Sequence, residues 1–256
     1  MPSGEKFDAL VAIMSTLRAP NGCPWDQEQT MESLQPYLIE EAYECLDAME
    51  RGDRAEQCDE LGDLLLQIVF QSQLAAEEKS FDVGDVIDAI SDKMVRRHPH
   101  IFGDARADNA EEVLQQWEQI KRREKGDVPR SIVAGIPRSA PALQRAARLG
   151  EKVSRVGLDW QSAAEVRAKV DEELNELEEA MANQDRAAME EELGDLLFSV
   201  AQLARHLEIE PEGALRAATQ KFTGRIEAIE AQLMVEKVSW DEAGDVEKRW
   251  QRAKNL

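Results

Sequence analysis

The chain has 256 residues, 52 acidic and 31 basic, for a formal net charge of −21. That length suffices for one large or two modest domains, each able to bury a core. So acidic a composition leaves no broad basic face to track a phosphate backbone, so stable nucleic-acid binding is not expected; it raises instead the chance that carboxylates are concentrated around a hard cation.

The first residues, MPSGEKFDALVAIMSTLRAP, alternate charge with short apolar patches and lack the apolar segment of a signal peptide. Cys23, Cys45 and Cys58 are odd in number and form no CxxC pair, so they are expected as reduced thiols in a cytoplasmic protein. Stretches rich in Ala, Leu, Glu, Gln, Arg and Met predict helices over 5–18, 31–51, 54–78, 83–97 and 109–125, and no strand. Leu64 to Phe70, the most apolar run, falls far short of the ~20 residues that span a bilayer, so no membrane association is expected. Residues 126–141 hold three prolines and two glycines and read as a linker between domains at 1–125 and 142–256. Beyond it, helices are predicted over 141–155, 162–183, 186–208, 211–235 and 240–254. Start signals support several of them: Asp53 with Glu56, Asp185 before Arg186, Pro211 at a first helical position, and the capping box Ser239 to Glu242.

Laid on each other, the halves repeat. Glu40-Glu41-Ala42-Tyr43-Glu44 aligns with Glu172-Glu173-Leu174-Asn175-Glu176 at the offset of 132 residues from Glu40 to Glu172. Glu60-Leu61-Gly62-Asp63-Leu64-Leu65-Leu66 keeps that offset against Glu192-Leu193-Gly194-Asp195-Leu196-Leu197-Phe198, differing only at the last residue. Further on the register slips, Lys93 and Arg97 pairing with Lys221 and Arg225, and Trp117 and Lys121 with Trp250 and Lys254. Upstream, Pro24-Trp25-Asp26 resembles Leu158-Asp159-Trp160. Two motifs at one offset argue for a duplication into two homologous helical domains, not for a solenoid of three or more units.

On a helix, residues three apart share a face, so Glu173 and Glu176 point one way, as do Glu192 and Asp195 on the next helix. The short connection around Asn183-Gln184-Asp185 makes these helices antiparallel neighbours. Four converging carboxylates repel, and a divalent cation is the simplest neutraliser. All-oxygen ligands suit Mg²⁺, with Mn²⁺ as a substitute. A di-iron bundle would need Glu-x-x-His on two helices, which His98, His100 and His206 do not supply. An EExxE in isolation is usually a solvated helix face, but Asp195 stands within an apolar run and the arrangement occurs twice. Lys169, Lys221 and Arg225 are placed to meet phosphate oxygens, and Trp250 with Lys254 offers an aromatic face for a base. Leu64, Leu65, Ile68 and Val69 form a leftover apolar face suited to self-association.

These strings, together with Gly22-Cys23-Pro24-Trp25-Asp26, Leu34-Gln35-Pro36-Tyr37-Leu38-Ile39, Arg96-Arg97-His98-Pro99-His100-Ile101-Phe102-Gly103 and Val156-Gly157-Leu158-Asp159-Trp160, resemble the two-domain bacterial MazG nucleoside triphosphate pyrophosphohydrolases over about residues 7–254. The resemblance implies tandem all-α NTP pyrophosphatase bundles, a homodimer, Mg²⁺ dependence, and hydrolysis of NTPs and dNTPs to monophosphate and pyrophosphate in nucleotide-pool cleaning linked to stress. It implies metal ligands at Glu173, Glu176, Glu192 and Asp195. Glu172, Glu173 and Glu192 would be catalytic, and Lys169, Glu191, Lys221, Arg225, Trp250 and Lys254 would contact the substrate. Gly224 departs from a second arginine usual beside Arg225, and Thr219 from a common asparagine. The first copy holds Glu40, Glu41, Glu44, Glu60, Asp63, Lys93 and Arg97 but has Tyr37 in the place of Lys169, so the second copy is expected to be the active one. The alternative is a helical regulatory or interaction protein that binds metal or nucleotide without turnover.

Overall fold

The computed structural model describes residues 2–124 and 131–254, apart from the side chains of Glu118 and Arg122. The chain divides into two compact units, Met1–Asp127 and Val128–Leu256, and no strand occurs among the described residues. No helix among them is long and apolar enough to cross a membrane.

The first unit comprises α1 (Ser3–Arg18), α2 (Pro24–Glu28), α3 (Gln35–Arg51), α4 (Arg54–Glu77), α5 (Val83–Arg97), α6 (Pro99–Phe102) and α7 (Ala110–Glu124). Its centre is the α3–α4 hairpin. Gly52 closes α3 in the left-handed region at φ 72°, and the Asp53 carboxylate accepts from the amides of Ala55 and Glu56 to open α4. Met14, Leu34, Val69, Phe70 and Leu74 make the core, with Phe7, Leu10 and Leu66 packed against it. Arg18 ties α1 to the end of α4 through Glu77 at 2.6 Å, while its guanidinium lies 5.6 Å from the Phe70 ring centre.

The second unit repeats the plan with α8 (Ala142–Ser154), α9 (Ala163–Ala182), α10 (Arg186–His206), α11 (Pro211–Glu236), a 3-10 turn (Trp240–Glu242) and α12 (Val246–Ala253). Asp185 caps α10 through Ala187 and Ala188 as Asp53 caps α4, and the left-handed residue of this hairpin is Gln184 at φ 55°. Thus Gly52 and Gln184 occupy one conformation in the two copies. Ile229, Leu233, Ala243 and Ala253 form a core cluster between α11 and α12.

Several boundaries differ from the sequence reading. The helix predicted from 31 begins at Gln35, because Thr30 and Ser33 exchange side-chain and backbone hydrogen bonds in a preceding turn. The helix predicted over 240–254 is broken: Gly244 turns left-handed at φ 68°, and Asp245 starts a new helix by accepting from the Lys248 amide. The short helices α2 and α6, each opened by a proline, were not expected. In the linker predicted at 126–141, and at the predicted end of the 109–125 helix, residues 125–130 lie outside the described residues; 131–140 run in turns. The leftover apolar face is also divided, because Val69 turns into the core at 1 % exposure while Leu65 and Ile68 stay exposed.

Candidate metal centre

Along α9, Val166, Glu173 and Ala180 are buried at intervals of seven residues, the spacing of a helix seam. A carboxylate therefore stands where the pattern calls for an apolar residue. Leu34, Glu41 and Ala48 repeat this seam from the N-cap of α3 onward, with Leu34 and Ala48 buried and Glu41 half-buried. Glu173 is only 4 % exposed. Burial of a lone carboxylate is costly, and Lys169, one turn earlier, offsets it, reaching Glu173 at 2.6 Å and Glu172 at 2.9 Å. The neighbours on the other side are like-charged: one carboxylate oxygen from each of Glu173, Glu176 and Glu192 lies within 4.8 Å of the others, an arrangement that a cation would neutralise. Loss of hydration raises the Glu176 and Glu192 pKa values from their ordinary value; the charges of Glu192 and Glu173 add to this at Glu176, and that of Glu173 at Glu192. Hydrogen bonds to Glu173 and Glu172 hold Lys169 firmly protonated.

This donor set, oxygen only and concentrated in negative charge, fits a hard divalent cation. Asp195, one turn after Glu192, stands outside the tight set, although its charge and that of exposed Glu191 push the Glu192 pKa up. Glu172 is exposed and paired with Lys169.

The first unit builds the same cage with a different membership. Glu41, Glu60 and Asp63 offer oxygens within 4.8 Å of one another, with Glu44 outside the set and Glu40 exposed. Desolvation and neighbouring carboxylates raise Glu41 and Glu60 as well. Gln67, 8 % exposed and two turns beyond Glu60, hydrogen-bonds Glu41, a support that the motif comparison did not single out. Ser199 takes its place in α10. Tyr37, at the position of Lys169, turns its ring against Trp25, 5.9 Å between centres.

The basic residues gather elsewhere. Arg225 and Lys254 lie over the Trp250 ring at 5.5 and 5.6 Å, and Phe222 packs beside it at 5.2 Å. The aromatic face expected to receive a base is thus flanked by two cations of the same unit. Lys221 is exposed one turn before Arg225, and Thr219, six residues before it, is exposed with its hydroxyl spent on the Leu215 carbonyl. Helix α11 packs on α8 and α12 and meets α10, so the chain does not itself bring this group onto α9. In the first unit Lys121 lies 5.9 Å from the Trp117 ring centre, and Lys93 is half-buried on α5. Arg97, the counterpart of Arg225, is instead bound with Arg96 to Glu124, both at 2.7 Å, which holds the Glu124 carboxyl down at about 2.

A further group escaped the motif search because its members come from three segments. Asp159 receives both terminal nitrogens of Arg205, at 2.9 and 2.5 Å, and lies 3.1 Å from His206 Nε2. Arg205 also donates to Gln202, whose amide donates to the Ala146 carbonyl on α8.

Comparison with known proteins agrees with this construction. The model of the MazG nucleotide pyrophosphohydrolase domain matches twice, over residues 29–102 and 161–229, each span containing one carboxylate cage. A nucleoside triphosphate pyrophosphohydrolase of Escherichia coli (strain K12) is 48 % identical over 230 residues, 88 % of either chain. The nucleoside triphosphate pyrophosphohydrolase/pyrophosphatase MazG of Thermotoga maritima is 46 % identical over 228 residues, 89 % of this chain and 87 % of that one. A nucleoside triphosphate pyrophosphohydrolase of Mycobacterium tuberculosis is 33 % identical over 221 residues, 83 % of this chain and 66 % of that one. With its two carboxylate hairpins and these matches over most of its length, the chain belongs to the MazG nucleotide pyrophosphohydrolase family.

Proposed function

We propose that the second unit is an Mg²⁺-dependent nucleoside triphosphate pyrophosphohydrolase, acting on NTPs and dNTPs at the α-phosphate to release monophosphate and pyrophosphate. The observation that carries this reading is the cage of Glu173, Glu176 and Glu192 built around a buried carboxylate, in a chain whose relatives are named for that activity. These three residues, with Asp195 beside them, would hold the cation, Mn²⁺ serving as a substitute. A bound cation supplies charge neutralisation on the phosphate oxygens as the leaving group departs. Glu172, exposed and paired with Lys169, would accept the proton of the attacking water. The new bond forms from water oxygen to the α-phosphorus, and the bond from that phosphorus to the pyrophosphate oxygen breaks. Lys221, Arg225 and Lys254, which the single chain does not bring onto α9, would answer the remaining phosphate charge from a second copy in the homodimer proposed below. Hydrolysis of ATP in oxygen-18 water tests the bond: label is expected in AMP, and label in pyrophosphate would contradict attack at the α-phosphorus.

The first unit fits binding without turnover better, because Tyr37 replaces the lysine and Glu124 already occupies Arg96 and Arg97. Exposed Leu193, Leu197 and Val200 on α10 recur as Leu61, Leu65 and Ile68 on α4. Such stripes favour a homodimer, to be checked by light scattering. The three unpaired thiols suit a reducing cytoplasm, and nucleotide-pool cleaning under stress is the matching role.

A further inference from the structure

The acidic chain carries a stretch of the opposite sign at the start of its second unit. Between residues 131 and 155 stand Arg138, Arg145, Arg148, Lys152 and Arg155 against a single acid, Glu151. Arg145, Arg148 and Lys152 recur at spacings of three and four along α8, so they share one face of the helix. That face borders a cavity of about 690 Å³ between the 135–140 turns, α8 and the connection from α10 to α11. Ile136, Pro137 and Ile209 give it apolar walls, and Arg205 closes one end. Gathering like charges at one cavity, in a chain whose net charge is −21, costs repulsion that a bound anion would relieve.

The partners of these side chains decide which charges are open. Arg205 is committed to both Asp159 oxygens and to Gln202. Glu210 spends its two carboxylate oxygens on the amides of Glu212 and Gly213 at the start of α11. Glu151 pairs with Arg148 at 2.7 Å, an exposed pair worth little that another anion can displace. Lys152 donates to the Ala134 carbonyl at 2.5 Å and so ties the turns to α8. Arg145 is exposed and has no ion pair among the described residues. The first unit offers the contrast on the same scaffold. Its cavity between α1, the end of α4 and the start of α5 is about 270 Å³, and no base lines it. Gln73 and Ala76 stand there at the offset of 132 from Arg205 and Glu208. The cationic lining therefore belongs to the second unit, and it lies away from the carboxylates. Arg205 is 13 residues beyond Glu192, about 20 Å along α10 at 1.5 Å per residue.

We infer that this cavity is a separate ligand site of the second unit and that it takes a small phosphomonoester, with the phosphate on Arg145 and on Arg148 released from Glu151, and the organic body on Ile136, Pro137 and Ile209. A phosphate suits the site because a guanidinium fork meets two of its oxygens and its charge of about −2 answers more than one base. The volume lies in the range of cavities that enclose small organic ligands. None of the cage residues takes part, so the site stands independently of the proposed pyrophosphohydrolase reading.

The test uses the full chain in chelator, so that no cation at either cage can hold a phosphate, and reads the binding of para-fluorophenyl phosphate, para-fluorobenzoate and para-fluorophenol by fluorine NMR. The phosphate ester is expected to bind with a dissociation constant below about 1 mM. Arg145→Gln should weaken it about tenfold or more, as loss of a hydrogen bond to a charged group does. Glu151→Gln frees Arg148 and should tighten it by about two- to fivefold, a gain that damage to the fold would not produce. Lys221→Gln, on the basic group of α11, should leave it within about twofold. No binding of the ester, an equal constant in Arg145→Gln, a loss in Lys221→Gln, or equal binding of the phenol would overturn the inference. Tighter binding of the benzoate would overturn it as well, since a carboxylate would then be the ligand.

Discussion

Glu173 holds a position that its helix seam would give to an apolar residue, and Lys169 is the charge that makes this tolerable in the chain itself. Lys169→Met should therefore lower the thermal midpoint in chelator by several degrees, and added Mg²⁺ should recover most of that loss, because a cation binding only the folded state stabilises it. Scanning calorimetry with and without Mg²⁺ checks this; equal midpoints for variant and parent in chelator would count against the pairing. Asp159 offers a pH counterpart. Its carboxyl is held at about 2, first by the Arg205 hydrogen bonds, against an ordinary value near 3.8. A depressed folded value means that the contribution is complete above the unfolded pKa and is lost as pH falls through the folded one, here from about pH 4 towards 2. Asp159→Asn should remove at most about 2 kcal/mol at neutral pH, and its deficit should shrink across that acid window in urea titrations. The carboxylate pattern itself was plain in the sequence, since EExxE and ExxD are local spacings. That Lys169 answers Glu172 and Glu173, and that Trp250 is flanked by cations, depends on rotamers and on packing between helices, which local spacing does not encode.

The hairpins are where sequence and structure agree most closely, because their determinants are local: Asp53 and Asp185 as caps, and a left-handed residue before each. Gln184 adopts at φ 55° what Gly52 adopts at φ 72°. Gln184→Gly should accordingly stabilise the second unit by up to about 1 kcal/mol, read from the shift of a denaturant midpoint. The opposite sign is expected at Gly150, where α8 approaches α10 closely. A Cβ there would stand 1.9 Å from Gln202 Oε1 and 2.8 Å from Arg205 Nε, atoms fixed by the Asp159 frame. Gly150→Ala should cost about 1–3 kcal/mol, as overpacking does; an unchanged midpoint would mean that the frame yields. Elements shorter than two turns were not legible. Helices α2 and α6 have too few residues to show a period, and the break at Gly244 lies within a stretch whose charges and leucine-free pattern suited a continuous helix.

At the scale of the whole molecule, duplication explains why so much was readable, since an offset of 132 residues from Glu40 to Glu172 finds both cages without any structure. It also shows what was not. The two copies differ in Tyr37 against Lys169 and in the Glu124 carboxylate that binds Arg96 and Arg97. Only the first of these is visible in an alignment of the halves; the second depends on segments far apart in the chain. These differences are the ground for proposing turnover in the second unit. The most direct measurement is phosphorus NMR of the products formed with Mg²⁺ from a mixed set of NTPs and dNTPs, comparing the parent protein with Glu192→Ala and Glu60→Ala. Monophosphate and pyrophosphate are expected, with the rate falling about 10²-fold or more in Glu192→Ala and far less in Glu60→Ala. Diphosphate with inorganic phosphate, or a greater loss in Glu60→Ala, would contradict it.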